Sequence, residues 1–97
     1  MLEIKKLIWD NWNKDHIARH GVSSDEVEEA CHIPHAIRET YKNRLMLIGI
    51  TKKNRILAIV LEKEAEKSYY VVTARTANRK EQQIFQSEKG GVFLKLK

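Results

Sequence analysis

Tyr69-Tyr70-Val71-Val72-Thr73-Ala74-Arg75-Thr76-Ala77-Asn78-Arg79-Lys80-Glu81-Gln82-Gln83-Ile84-Phe85 passes from a strand into a helix with almost no connecting loop. Aromatic and β-branched residues from Tyr69 to Thr73 suit a pleated, half-buried surface. Simple alternation puts Tyr69, Val71, Thr73 and Arg75 on one side and Tyr70, Val72 and Ala74 on the other. Asn78 followed three residues later by Glu81 reads as a capping box, with Thr76 as a competing N-cap. Arg75, Arg79 and Lys80 therefore converge where a strand ends and a helix offers its unpaired N–H groups, a combination suited to phosphate. Read without an anion, Arg79 and Lys80 are a solvated helix face and Arg75 a surface cation.

Ninety-seven residues make one domain, 1–97, large enough for a modest core. An apolar share of 42% argues against disorder. Eighteen basic residues against thirteen acidic ones give a net charge of +5, which favours a polyanion or an acidic protein as partner. Cys31 is the only cysteine, so no intrachain disulfide forms and a cytoplasmic setting is expected. No segment approaches the length of a membrane span, and the apolar run at the N-terminus is too short for a secretory signal.

Upstream of the junction, Leu2, Ile4, Leu7, Ile8 and Trp9 read as a strand or extended arm. Asp10 caps a helix over Asn11 to Arg19, and His20-Gly21 stops it. Within that helix Trp9, Trp12 or Asn13, His16, Ile17 and His20 recur at helical spacing, so His16 and His20 share a face. Ser23 or Ser24 opens a second helix through Cys31, where Ser23 and Glu26 fit a capping box and Pro34 ends the element. Strand-like runs follow at Ala36 to Thr40, Arg44 to Thr51 and Ile56 to Glu62, joined by links of hairpin length. Together with the Tyr69 strand they predict an α+β domain. An antiparallel meander of about four strands packs against the two N-terminal helices, and a further helix follows the last main strand. Residues 88–97, with Gly90-Gly91, are expected to be a flexible tail or an edge strand.

Cys31, His32 and His35 invite a zinc reading, but no second ligand pair accompanies them and no metal is expected. Glycine-rich phosphate loops, nucleophile elbows and paired carboxylates are likewise missing from the sequence.

The run from Trp9 through His16, His20 and Val22, then Asp25 to Ala30, then Thr73-Ala74-Arg75 and Arg79-Lys80-Glu81 resembles the BrnT family of toxins. The likeness covers roughly residues 4 to 85. It implies a fold related to the RelE-type toxins. It also implies a ribonuclease toxin of a type II toxin–antitoxin system, held inactive by a cognate antitoxin that is typically a ribbon-helix-helix DNA-binding protein. Toxin and antitoxin together would repress their own operon, so operator DNA would be reached only through the antitoxin. A homodimer is compatible with the resemblance. One departure concerns the helix after Glu81: family members commonly carry a Lys- or Arg-rich segment there, whereas Gln82 to Ser87 are uncharged in this chain.

Metal-independent cleavage of single-stranded RNA needs a base for the 2′-OH, a donor for the leaving oxygen and cations for the phosphate. The expected roles are Arg75 on the phosphate, His16 or His20 for protons, Arg79 and Lys80 along the RNA backbone, and Trp12 or Tyr41 stacking a base, with Trp9 a further candidate. Trp9 and Trp12 also read as core aromatics, and His20 as a helix cap. The alternative function is a non-catalytic module of the same fold, binding a partner as co-repressor or binding RNA without cutting it.

Overall fold

The computed structural model describes residues 3–33, 36–41 and 43–94, those at 39, 41 and 88–94 by their backbone alone. The elements in chain order are β1 (Lys6–Ile8), α1 (Asn11–Ala18), α2 (Ser24–Cys31), β2 (Ala36–Tyr41), β3 (Arg44–Ile50), β4 (Ile56–Ala65), β5 (Ser68–Thr76) and α3 (Arg79–Leu94). The strands form one sheet ordered β1-β5-β4-β3-β2. From β2 to β5 it is the antiparallel meander expected from the short links. The N-terminal arm supplies a fifth strand, which pairs with β5 in parallel.

Three capping boxes start the helices. Asp10 with Asn13 opens α1, Ser23 with Glu26 opens α2, and Asn78 with Glu81 opens α3. Thr76 is not the N-cap of α3; it ends β5, and its hydroxyl accepts from Arg55. Gly21 closes the turn after α1 at φ +73°, a conformation in which a Cβ would be strained. Beyond Phe85 the backbone stays helical to Leu94, through Gly90 and Gly91, so residues 88–94 form no edge strand, and 95–97 lie outside the described residues.

The sheet has helices on both faces. On one, α1 and α2 cover a continuous apolar cluster that includes Ile17, Val22, Val27, Ala30, Leu47, Leu57, Ile59, Leu61, Tyr69, Val71 and Ala74. Here α2 approaches β3 so closely that a Cβ on Gly49 would lie 2.5 Å from the Ala30 carbonyl oxygen, and only glycine fits. On the other face α3 lies over β3 and β2, and a smaller cluster forms around Ala36, Ile48 and Phe85.

Two polar side chains lock the first face. Asn13 is fully buried; its Nδ2 donates to the carbonyls of Ile8 and Val71 at 3.0 and 3.1 Å, tying β1 to β5 beneath α1. Arg55, in the link between β3 and β4, donates to the Gly21 carbonyl, to both oxygens of Glu26 and to Thr76 Oγ1. One guanidinium thus joins the α1–α2 turn, α2 and the end of β5. Glu26 is held below the usual carboxylate range: burial opposes its ionisation, but the hydrogen bonds at Ser23 and Arg55 outweigh it.

One feature of β5 overturns the simple alternation. Leu61 pairs with Val71 and the adjacent Val60 pairs with Thr73, so Val72 is an extra residue, a β-bulge. Past it the faces exchange. Tyr69, Val71 and Ala74 all enter the core beneath α1 and α2, while Arg75 stands beside Ala58, which pairs with Ile48 on the α3 face. Arg75 therefore does not share a face with Tyr69 and Val71.

Candidate nucleic-acid interface

The bulge directs Arg75 toward the start of α3. Its Nη1 donates to Glu81 Oε1 at 2.7 Å and its Nη2 to Oε2 at 2.8 Å, a bidentate pair that fixes the guanidinium plane. Glu81 also accepts from the backbone N–H of Asn78 at 2.9 Å. The hydrogen bonds from Arg75 hold the Glu81 carboxyl below its ordinary range despite partial burial, and Glu81 in turn raises the guanidinium further. Exposure is uneven: the Arg75 side chain is 41% accessible and that of Glu81 11%. Glu81 thus acts as the buried anchor, and Arg75 keeps an open edge toward solvent.

Arg79 and Lys80 follow as the first two residues of α3, both exposed. Cations there oppose the helix dipole, whose positive end lies at the N-terminus. By contrast, α2 opens with Asp25 and Glu26 in its first turn, as helix stability favours. Glu81 in that same turn of α3 completes the capping box but is paired with Arg75, so the exposed residues at the start of α3 are the cations Arg79 and Lys80, a combination suited to an anion.

Further polar groups that simple alternation did not single out lie on the same sheet face. Glu62 faces Arg44 on one side and Tyr70 on the other. Arg44 Nη2 lies 3.5 Å from Glu62 Oε1. The Tyr70 hydroxyl donates to the Asp10 carboxylate at 3.1 and 3.2 Å, and partial burial together with Asp10 raises the phenol above its ordinary range. Val60 and Thr73, between them and Arg75, are only half-buried. Counting even positions along Ile56 to Glu62 would have placed Glu62 with Val60 and Ala58; the position of Tyr70 depends on the bulge.

His16 and His20 lie elsewhere. They project from α1 and the turn after it, and α1 packs on the face opposite to α3. The sheet separates them from Arg75, so the three residues expected to act together do not form one cluster. His16 stacks on Trp12 with ring centroids 4.9 Å apart and planes within 7°, and meets His20 edge-on at 5.3 Å. Trp12 is 59% exposed and is not a core residue; Asn13 takes the inward position. Trp9 is half-buried against the core and donates from Nε1 to Glu28 at 2.8 Å. Tyr41 ends β2, and its side chain lies outside the described residues, as does His35.

Of the residues that invite a zinc reading only Cys31 and His32 are described; among the described residues no group of three or more His, Cys, Asp or Glu side chains is disposed to hold a metal. Cys31 is buried, and burial, with Glu28 nearby, pushes its thiol up to about 12. His32 is turned onto the Glu28 carbonyl through Nδ1 at 2.7 Å.

No protein-family model and no curated protein sequence matches the chain. Its fold nevertheless has a known class, that of the BrnT-like toxins. Among solved structures it is similar to the 1.1 Å crystal structure of the Brucella abortus ribonuclease toxin BrnT, with a TM-score of 0.62 and 27% sequence identity. The match covers 76% of this chain and 97% of that one. The fold implied by the residues between Trp9 and Glu81 is thus the fold observed. No described helix is long and apolar enough to cross a membrane.

Proposed function

We propose that this protein is the toxin of a type II toxin–antitoxin system and cleaves single-stranded RNA without a metal. The observation that carries the reading is the structural likeness to a ribonuclease toxin over nearly that protein's whole length. The α3 face adds a local reason. Arg75, fixed by Glu81, stands beside Arg79, Lys80 and the N-terminus of α3, and such a group of donors suits the developing charge on a phosphate. Arg75 stabilises that charge, and Arg79 and Lys80 guide the RNA backbone. Because His16 and His20 lie across the sheet, the proton-transfer roles expected of them need groups on the α3 face; Glu62 and Tyr70 are paired there, about 13 Å along the strands from Arg75. A cognate antitoxin, a ribbon-helix-helix protein, neutralises the toxin and carries it to operator DNA in the cytoplasm.

The second reading is a module that binds RNA, or a partner as co-repressor, without cutting. It is favoured by the pairing of Arg75 with Glu81, which already satisfies much of the guanidinium's charge. Purified protein incubated with single-stranded RNA, with and without chelator, separates the two. Cleavage that survives chelation and falls by about a hundredfold or more in Arg75→Ala supports the toxin reading. RNA that is bound but stays intact supports the module.

A further inference from the structure

The His16 and His20 pair is left without a role by the α3 face, and its geometry has a use of its own. His16 lies in the last turn of α1, and the backbone N–H of His20 bonds back to the Ile17 carbonyl at 2.9 Å, so the two residues stay on one face across the turn. Among the described residues neither imidazole has a hydrogen-bond partner. His32, by contrast, is held on a backbone carbonyl. His20 is exposed and His16 partly so, leaving ring nitrogens open to an incoming ligand.

The spacing selects that ligand. Two imidazoles on one metal, each with a metal–nitrogen bond of about 2.0–2.1 Å, place each ring centroid about 3.2 Å from the ion. At a tetrahedral angle the centroids are then about 5.2 Å apart, and at a right angle about 4.5 Å. The observed separation is 5.3 Å. Trp12, stacked on His16, restrains one ring and so lowers the ordering cost of chelation. Asp15 and Arg19 line the same small recess as Trp12 and His16 and offer opposite charges, so the binding strength comes from the two imidazoles.

We propose that His16 and His20 form a surface chelate for a divalent first-row transition metal. The centroid separation is the one a tetrahedral Zn2+ requires, both rings turning their nitrogens onto the ion on binding, and Cu2+ binds more tightly still, following the usual order of affinities. Water fills the remaining positions, so the site is open. It lies across the sheet from Arg75 and does not depend on the ribonuclease reading.

Trp12 provides the reporter. Untagged full-length protein is titrated with Cu2+, Zn2+ and, as a control, Mg2+, followed by calorimetry and tryptophan fluorescence. One equivalent of Cu2+ is expected to quench the Trp12 emission, Zn2+ to bind the same site more weakly, and Mg2+ to leave both signals unchanged. His16→Ala and His20→Ala should each weaken binding by about tenfold or more, because a single imidazole loses the chelate advantage. Trp12→Phe should lose most of the quenching while keeping the calorimetric affinity within about threefold. Circular dichroism of each variant checks the fold. Binding within twofold of wild type in the double variant His16→Ala/His20→Ala, loss of binding in His32→Ala, or no saturable binding of either metal would each overturn the proposal.

Discussion

The two faces of the sheet are built on different terms. Beneath α1 and α2 the side chains of four strands close into one apolar cluster, and its few polar members, Asn13 above all, have their hydrogen bonds satisfied inside it. Beneath α3 the buried cluster is small, and the face continues into charged and hydroxylic groups: Arg44, Glu62, Tyr70, Thr73 and Arg75. Burial without remainder holds a domain together but leaves nothing for a ligand to meet. A face only partly covered contributes less stability and keeps polar groups accessible, the usual condition of a binding surface. The single residue that assigns Arg75 to the second face is the extra one in β5, Val72.

Neighbouring residues of β4 test this contrast most severely, because they differ in little besides the face they point to. Ile59 is fully buried beneath the helices, whereas Val60 is half-buried on the α3 side. Ile59→Ala should lower stability by about 2–5 kcal/mol, and Val60→Ala by about 1 kcal/mol or less, read from urea midpoints at constant slope. Equal losses would mean that α3 closes its face as tightly as α1 and α2 close theirs. Asn13→Ala comes next. It would leave the carbonyls of Ile8 and Val71 without their buried donor and the Asp10 N–H without its acceptor, at a cost of about 2–3 kcal/mol. Faster amide exchange in β1 than in β4 would accompany it, since Asn13 is what bridges β1 to β5 beneath α1.

The sequence carried the local rules well and the long-range ones poorly. The capping boxes of α2 and α3, the Asp10 cap of α1, the stop at Gly21 and the meander were legible, because each depends on residues a few positions apart. The bulge was not. Nothing in Tyr69 to Thr76 marks Val72 as supernumerary, and the side chain that donates to the neighbouring Val71 carbonyl, Asn13, lies 58 residues away in sequence. Trp12 and Asn13 were equally placed on the helical stripe, and hydrophobicity alone favoured the tryptophan for the interior. Two carbonyls in need of a donor, Ile8 at the end of β1 and Val71 beside the β5 bulge, decided for the asparagine. Arg55 looked like one more charge in a polar link, and its role appears only once the α1–α2 turn and the end of β5 lie beside it. The expected junction of Arg75, Arg79 and Lys80 with a helix N-terminus was readable because it is contiguous. The expected company of His16 and His20 required knowing which face each occupied.

The smallest expected effect concerns the Arg75–Glu81 pair and probes whether the α3 face relies on electrostatics that the other lacks. Glu81 has an ordinary carboxyl value of 4.5, lowered in the folded protein by the hydrogen bonds of Arg75 and by the Asn78 backbone. A carboxyl that ionises more readily when folded stabilises the fold fully above its unfolded value. That contribution disappears as the pH falls through the lower, folded one. Glu26, also lowered through Ser23 and Arg55, contributes to the same acid transition from the opposite face. Glu81→Gln should therefore cost about 1 kcal/mol at neutral pH, given the partial exposure of its partner, and should flatten the decline in melting temperature below the ordinary carboxyl value without abolishing it. The remaining decline should go largely with Glu26→Gln. If Glu81→Gln left the acid limb unchanged, Arg75 would gain nothing from its partner in the folded state, and the fixed guanidinium on which the phosphate site depends would have lost its anchor.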